Sequence, residues 1–441
     1  MHELLTPLEM AEADRLAGNA PALIAAAGRA IARALRKRYR PCRTLVLIGP
    51  GNNGADGIEA ARHLAHSGWP ITCKKPEETT PEVVAAADLV IDAIFGAGLS
   101  RDLSPQIAEL LRAAKRLVAI DVPSGLDGAT GAPRGFAPKA ELTITFFRLK
   151  PAHLLYPGRE LCGEIELADI GLPESVLGHI APKTWVNGPW AWRIPSPGRQ
   201  GHKYSSGDVT VLSGNLPGAA RLACAAARRS GAGMVTLSTE QMFTPPEIGL
   251  IVRDTPLAEL LHDPRRQVWV CGPGLGIVPA ARKLAALITA HKTILADADA
   301  LTACANAPGR LRGVAVITPH AGEFARVFGP IGADKLAAVR SAAFRTHAVT
   351  LLKGPDTIIA APDGRAAINS NAPPWLATGG TGDVLSGCIA ALLAQGMEPF
   401  EAACAGAWLN GEAASRLGQG MIAEDLPKAL SAVISELQQR G

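Results

Sequence analysis

Ten residues near the end of the chain, Thr378-Gly379-Gly380-Thr381-Gly382-Asp383-Val384-Leu385-Ser386-Gly387, combine bare backbone with a carboxylate. Glycines leave successive N–H groups open, and a helix starting there adds partial positive charge, so the stretch makes an anion cradle. An anion held in it lies beside Asp383, which can take or give a proton. Alone, the same residues make only a glycine-rich turn with an N-capping Asp. The remaining chemistry-bearing residues also sit at the ends of apolar runs. Gly49-Pro50-Gly51-Asn52-Asn53-Gly54-Ala55-Asp56-Gly57 follows Thr44–Ile48. Gly96-Ala97-Gly98-Leu99-Ser100-Arg101-Asp102 follows a run holding Asp92, and Asp121-Val122-Pro123-Ser124-Gly125 follows Leu117–Ile120.

The elements that must position them are short buried strands alternating with helices, the pattern of a doubly wound parallel sheet. Residues 8–40 read as helix with a break near Gly18-Asn19-Ala20-Pro21, and an amphipathic helix is expected from about Ile58 to Ser67. In such sheets ligands bind outside the carboxyl ends of the strands, so the three loops should converge. They bring together the side-chain oxygens of Asn53, Asp92, Asp121 and Ser124, a set that suits a hard cation of low charge. The first loop is neither a dinucleotide fingerprint nor a P-loop.

These motifs, with Phe147-x-x-Lys150-Pro151 and Asp169-Ile170-Gly171-Leu172-Pro173, resemble the NAD(P)H-hydrate epimerase domain over roughly residues 1–180. The resemblance implies that Asn52, Asn53, Gly54, Ala55, Asp56, Gly96, Ala97, Gly98, Leu99, Ser100, Arg101, Asp102 and Asp121 line a hydrate site. It further implies that Asn53, Asp92 and Ser124 hold potassium. Ala55 stands where that family usually has glycine, and its methyl is expected to crowd a phosphate-facing loop. Inverting C6 of a hydrated nicotinamide needs a positioned acid/base group, and Asp121 is the expected one.

Around residues 181–203 Pro, Gly and Trp become dense, which reads as a linker with its aromatics pinned on a domain surface. Strand–helix alternation then restarts: Asp208–Leu212, the helix Gly218–Ser230, Met234–Ser238, Val268–Cys271, Ile294–Ala296, Val314–Ile317 and Leu351-Leu352, with hairpin-like strands around Asp363-Gly364. Gly272–Gly276, Thr318-Pro319-His320-x-Gly322-Glu323, Lys353-Gly354 and Gly379-Gly380-x-Gly382-Asp383 occur in that order. Together they resemble the ribokinase-like ADP-dependent NAD(P)H-hydrate dehydratases over roughly residues 200–435. The resemblance implies hydrate contacts at Ala219, Gly276, His320 and Asp383. It implies nucleotide contacts at Lys353, Gly354, Pro355, Asp356, Thr357 and Gly382, with Mg2+ on the nucleotide and ADP as co-substrate. Asp383 is the expected base that deprotonates the C6 hydroxyl.

The expected fold is therefore α/β in two domains: a Rossmann-like three-layer epimerase domain over 1–185, a linker over 186–203 and a ribokinase-like domain over 204–441. The expected function is bifunctional, epimerising the R and S hydrates and dehydrating the S form at the expense of ADP. The alternative is a ribokinase-like vitamin-precursor kinase with a fused non-catalytic binding domain. With 441 residues, 48% hydrophobic and 19% charged, the chain is long enough for two cores. A formal charge of +4 without a long Lys/Arg stripe excludes a dedicated nucleic-acid protein. No apolar run approaches membrane-spanning length. Eight scattered cysteines without a Cys-x-x-Cys pair, and an acidic N-terminal stretch without an apolar segment, are expected of a cytoplasmic protein. The partners are small molecules, NAD(P)H hydrate and ADP, and a homo-oligomer is expected.

Overall fold

The computed structural model describes residues 2–440 except 197, 199, 200, 242 and 246. It forms two compact units, Met1–Trp185 and Val186–Gly441. The first opens with two helices, α1 (Pro7–Ala17) and α2 (Ala20–Arg38). Thr6 caps α1 through a reciprocal capping box with Glu9, and Gly18 ends it in the left-handed conformation. The strands are β1 (Thr44–Ile48), β2 (Ile71–Lys74), β3 (Leu89–Ala93), β4 (Leu117–Ile120), β5 (Leu142–Phe146) and β6 (Glu164–Ala168). All pair in parallel, in the order β2-β1-β3-β4-β5-β6.

Alternation along each strand divides the core between two faces. Val46, Ile91, Val118 and Ile144 pack with α2 and with α3 (Asn52–His66) on one side. Leu45, Leu47, Val90 and Ala119 pack with Leu110 and Leu111 on the other. The unit is therefore three-layered. Each buried Leu or Ile contributes roughly 1.5–3 kcal/mol. The strand order reverses between β1 and β3, which opens a crevice where the loops after β1, β3 and β4 meet.

One expectation is corrected here. The helix after β1 begins at Asn52 rather than near Ile58, so Asn52 to Gly57 are helical and not an open loop. Ala55 N donates to Gly51 O within the first turn, where an alanine suits the backbone better than a glycine. Gly54 is a packing residue, since a Cβ there would lie 2.0 Å from Gly49 O.

The second unit carries β8 (Asp208–Leu212), β9 (Met234–Ser238), β10 (Ile251–Arg253), β11 (Val268–Cys271), β12 (Thr293–Ala296), β13 (Val316–Ile317), β14 (Val349–Leu352), β15 (Thr357–Ala360) and β16 (Ala366–Asn369). Its sheet runs β10-β9-β8-β11-β12-β13-β14-β15-β16-β7, with β7 (Thr184–Val186) the short strand where the chain passes between units. β8 to β14 pair in parallel, whereas β14, β15 and β16 are antiparallel, and order reverses between β8 and β11. Val209, Val211, Leu295 and Leu351 face the helices Pro217–Arg229, Thr381–Ala394 and Pro399–Leu417. Trp269, Ile294 and Ile317 face the helix Ile277–Thr289.

Residues 197, 199 and 200 of the expected linker lie outside the described residues. The stretch before them is not a free tether. Asn187 Nδ2 donates to Asn369 Oδ1 at 2.9 Å and to Cys404 O at 2.7 Å. Trp192 Nε1 donates to Asn187 Oδ1, and its ring meets Trp408 edge-on with centroids 5.9 Å apart. All eight cysteines are free thiols. Among the described residues no helix is long and apolar enough to cross a membrane.

Candidate active sites

In the first unit a cavity of about 480 Å³ opens at the reversal of strand order. Asn52, Asn53 and Asp56 line it from the first turn of α3, whose 3.6-residue period presents these positions and turns Gly54 and Ala55 away. Gly96, Ala97, Gly98, Leu99, Ser100 and Arg101 line it from the loop after β3, and Asp121 from the end of β4. Asp102 is not in the lining and stands beside Gly135. The methyl of Ala55 is likewise outside, so it does not crowd this cavity.

Asp121 is held in the left-handed region, φ 67. Its Oδ1 pairs with Lys150 Nζ at 2.7 Å and accepts from the Thr145 hydroxyl at 3.0 Å, while Oδ2 accepts from Ala97 N at 2.8 Å. Gly96 is required by this closeness, because a Cβ would stand 2.9 Å from Asp121 Oδ2 and 3.4 Å from Asn53 Oδ1. Burial alone would raise the Asp121 carboxyl. The Lys150 ammonium and the Ala97 N–H outweigh it and hold the group down at about 2. His153 braces the same residue. Its Nδ1 accepts from Lys150 N, so Nε2 carries the hydrogen and donates to Asp121 O at 2.9 Å. Burial, then Lys150, push its pKa down to about 4, so it is neutral.

Asp56 is in the opposite condition. Burial, with the Asp121 and Asp14 charges, pushes its carboxyl up to about 8. Asp14 of α1 also lines the cavity and is raised by burial, Lys150 opposing and Asp121 adding. Sequence reasoning did not assign Lys150, His153 or Asp14 to the site. A lysine inside the apolar run Phe146-Phe147-Arg148-Leu149-Lys150 was the available signal, since buried lysines are rare unless paired.

Asp92 and Ser124 lie behind this lining, both fully buried. Ser124 Oγ donates to Asp92 Oδ1 at 2.6 Å and Ser124 N to Oδ2 at 2.8 Å. Burial still raises the Asp92 carboxyl to about 6, with the Ser124 and Ile94 donors opposing it. Asn53 Nδ2 is buried and has no partner among the described residues. Among the described residues the buried Asp92 carboxylate has a hydroxyl and backbone N–H groups but no cationic side chain against it, a donor set that fits a monovalent cation with oxygen ligands.

The second unit gathers charges at the ends of β12, β13 and β14. Lys353, after β14, pairs with Asp297 Oδ1 at 2.7 Å and approaches Glu323 Oε2 at 4.0 Å. Ser386, on the helix Thr381–Ala394, donates to Asp297 Oδ2 at 2.9 Å. Gly382 stands so close that a Cβ would lie 3.4 Å from Lys353 Nζ. Burial would lower Lys353, but Asp297, Glu323 and Asp383 raise it. Asp383, in the first turn of that helix, is pushed up to about 6 by burial and by Asp297, with Lys353 opposing.

His320 pairs in the backbone with Lys353 and caps the helix Ala321–Phe328. Its Nδ1 accepts from Gly322 N, and Glu323 closes a capping box onto His320 N. Gly354 and Pro355 form an exposed turn closed by Thr357, whose hydroxyl donates to Gly354 O at 2.7 Å. Asp356 is buried and paired with Lys335, so its carboxylate orders this turn. Ala219 lies in the first turn of the helix Pro217–Arg229 after β8, and Gly276 caps the helix Ile277–Thr289 after β11; the turns leading into the two helices are joined by Leu216 N donating to Gly274 O. Gly276 N donates to Asp299 Oδ2. Asp297 and Ser386 were missed as site residues, although an Asp directly after a buried strand was visible.

Two strand-end sites on one chain, each joining carboxylates to a lysine, buried in the first and half-buried in the second, define a two-site α/β enzyme. The model described as NAD(P)H-hydrate dehydratase matches residues 209–436, and the YjeF-related protein N-terminus matches 20–87 and 70–152. The bifunctional NAD(P)H-hydrate repair enzyme Nnr of Mycobacterium tuberculosis is 40% identical over 82% of this chain and 80% of its own length. That of Moorella thermoacetica is 34% identical over 99% and 97%. A ribokinase-like superfamily protein from Enterococcus faecalis superposes with a TM-score of 0.50 and 27% identity, covering 55% of this chain and 92% of its own. The chain belongs to the family of bifunctional NAD(P)H-hydrate repair enzymes.

Proposed function

We propose that the first unit interconverts the R and S hydrates of NAD(P)H and that the second dehydrates the S form at the expense of ADP. The observation that carries the first half is the Asp121–Lys150 pair in the cavity at the strand reversal. When the C6 hydroxyl departs, the ring nitrogen's electrons leave a cationic iminium, and a carboxylate held ionised faces the developing charge. Asp121 is also the base for the returning water. Potassium beside Asp92, Ser124 and Asn53 would neutralise the buried Asp92 and fix the loops after β3 and β4.

In the second unit Asp383 takes the proton of the C6 hydroxyl as that oxygen attacks the terminal phosphorus of the nucleotide, forming a phosphate ester and AMP. Phosphate then departs from C6 and a proton leaves C5, restoring the dihydropyridine. Lys353 and the N–H groups around Gly382 receive the transferred charge. Asp297, Glu323 and Asp383 surround that single lysine, so a bare polyphosphate is disfavoured and a nucleotide arriving with Mg2+ fits. The ion would spread the charge on the phosphoryl oxygens. The free thiols accord with a reducing compartment such as the cytoplasm.

The test is incubation with mixed R and S hydrate, with and without ADP, following absorbance of restored NADH. Complete conversion requires both activities. Conversion of the S form alone overturns the first half, and no conversion in the presence of ADP overturns the second.

A further inference from the structure

The first unit's cavity holds more carboxylates than its cations can pair. Asp121 has Lys150, the Ala97 N–H and the Thr145 hydroxyl. Asp14 and Asp56 line the same cavity, from α1 and from the first turn of α3, and among the described residues neither side chain receives a hydrogen bond or ion pair. Arg101, the other cation in the lining, is on the exposed loop after β3. Asp56 is only 9% exposed. Three carboxylates around one buried ammonium do not all stay ionised, and the proton settles on a buried one without donors.

We propose that Asp56 is the catalytic acid of epimerisation, giving its proton to the departing C6 hydroxyl, and that Asp14 is the positioning residue that keeps that proton in place. The proposal rests on the reading of this unit as an epimerase and extends it to a two-group mechanism. The Asp56 O–H bond breaks as a bond to the hydroxyl oxygen forms. The C6–O bond breaks with its electron pair to oxygen, water departs, and the nitrogen lone pair closes the C6=N1 iminium. Water then adds to the other face of C6 and gives its proton to Asp121. That proton passes on to Asp56, downhill, because Lys150 disfavours a protonated Asp121 whereas nothing pairs an ionised Asp56.

The wild-type carboxyl at about 8 sets the alkaline limit of this reaction: activity needing a protonated Asp56 is lost as pH rises through that value. Asp14, Asp121, Lys150 and Arg101 are the charged groups lining the cavity with it. The assay uses the full chain and purified R hydrate of NADH without nucleotide, reading R-to-S conversion by chromatography. Asp56→Asn is expected to lose ~10²-fold or more of the epimerisation rate, while wild-type hydrogen-exchange protection of the β3 and β4 amides reports an intact first unit and ADP-dependent conversion of the S hydrate reports an intact second one. Asp14→Asn is expected to move the alkaline limb of kcat/KM to lower pH, whereas a merely structural Asp14 would lower the rate at every pH and leave that limb where it is. Wild-type epimerisation by Asp56→Asn, or an unmoved alkaline limb in Asp14→Asn, overturns the proposal. A wild-type chain that does not epimerise overturns the reading of the unit instead.

Discussion

Lys150→Met tests the ion pair on which the first site is built. The side chain keeps most of its length and loses its charge, leaving Asp121 among buried neighbours with only the Ala97 N–H and the Thr145 hydroxyl. At 2.7 Å and an effective dielectric of ~20, the lost attraction is ~6 kcal/mol. Removing one partner of a buried pair typically costs ~3–5 kcal/mol, since the survivor is left uncompensated. The sign with pH is opposite in the two proteins. In the wild type Asp121 lies at about 2 in the folded state against an ordinary 3.8, so its contribution, about 2 kcal/mol, is present above pH 3.8 and fades as pH falls through 2. In Lys150→Met burial is opposed only by those two donors, and the folded carboxyl rises above its unfolded value. Stability is then lost as pH rises through that window. The gap between the two proteins should therefore narrow on going from pH 8 towards pH 4. Hydrogen exchange of the β4 and β5 amides reads this locally, and R-to-S conversion reads the site. A stability gap that does not change between pH 8 and pH 4, together with wild-type epimerisation, would refute the reasoning.

Gly96→Ala places a methyl 2.9 Å from Asp121 Oδ2; it should abolish epimerisation measurably while leaving ADP-dependent dehydration of the S hydrate intact in the same preparation. Ser386→Ala removes the hydroxyl donated to the buried Asp297 and should destabilise the second unit by ~1–3 kcal/mol in denaturant titration, with slower dehydration. Dehydration needs an ionised Asp383, so kcat/KM for the S hydrate should fall as pH drops through about 6; a profile flat to pH 5 would remove Asp383 as the base. Ser124→Ala deprives Asp92 of a 2.6 Å hydrogen bond and should raise the potassium concentration needed for half-maximal epimerisation, read by titrating KCl against a constant ionic strength.

Much of this protein was determined by contiguous sequence. Short apolar runs followed by Gly, Asn and Asp encode strand, turn and helix start locally, so both α/β units and the positions of Asp121, Asp383, Lys353 and the Asn52-Asn53 turn were legible. The helix boundary at Asn52 was not, because Gly54 and Gly57 suggest a loop by propensity while close packing against Gly49 O and Ala93 makes them helical. Tertiary structure alone decided the charge states. Asp121, at the end of β4, and Asp56, in the first turn of α3, are the same residue type lining one cavity, yet the first carboxyl is held down at about 2 and the second is pushed up to about 8. The difference is Lys150, which reaches Asp121 from beyond β5, whereas Asp56 meets burial and then the charges of Asp121 and of Asp14 from α1. Likewise Asp297 became part of the second site only when β12 placed it between Lys353 and Ser386. A carboxylate's pKa is set by burial and by the few charges within a few ångströms, and those neighbours come from distant stretches of the chain.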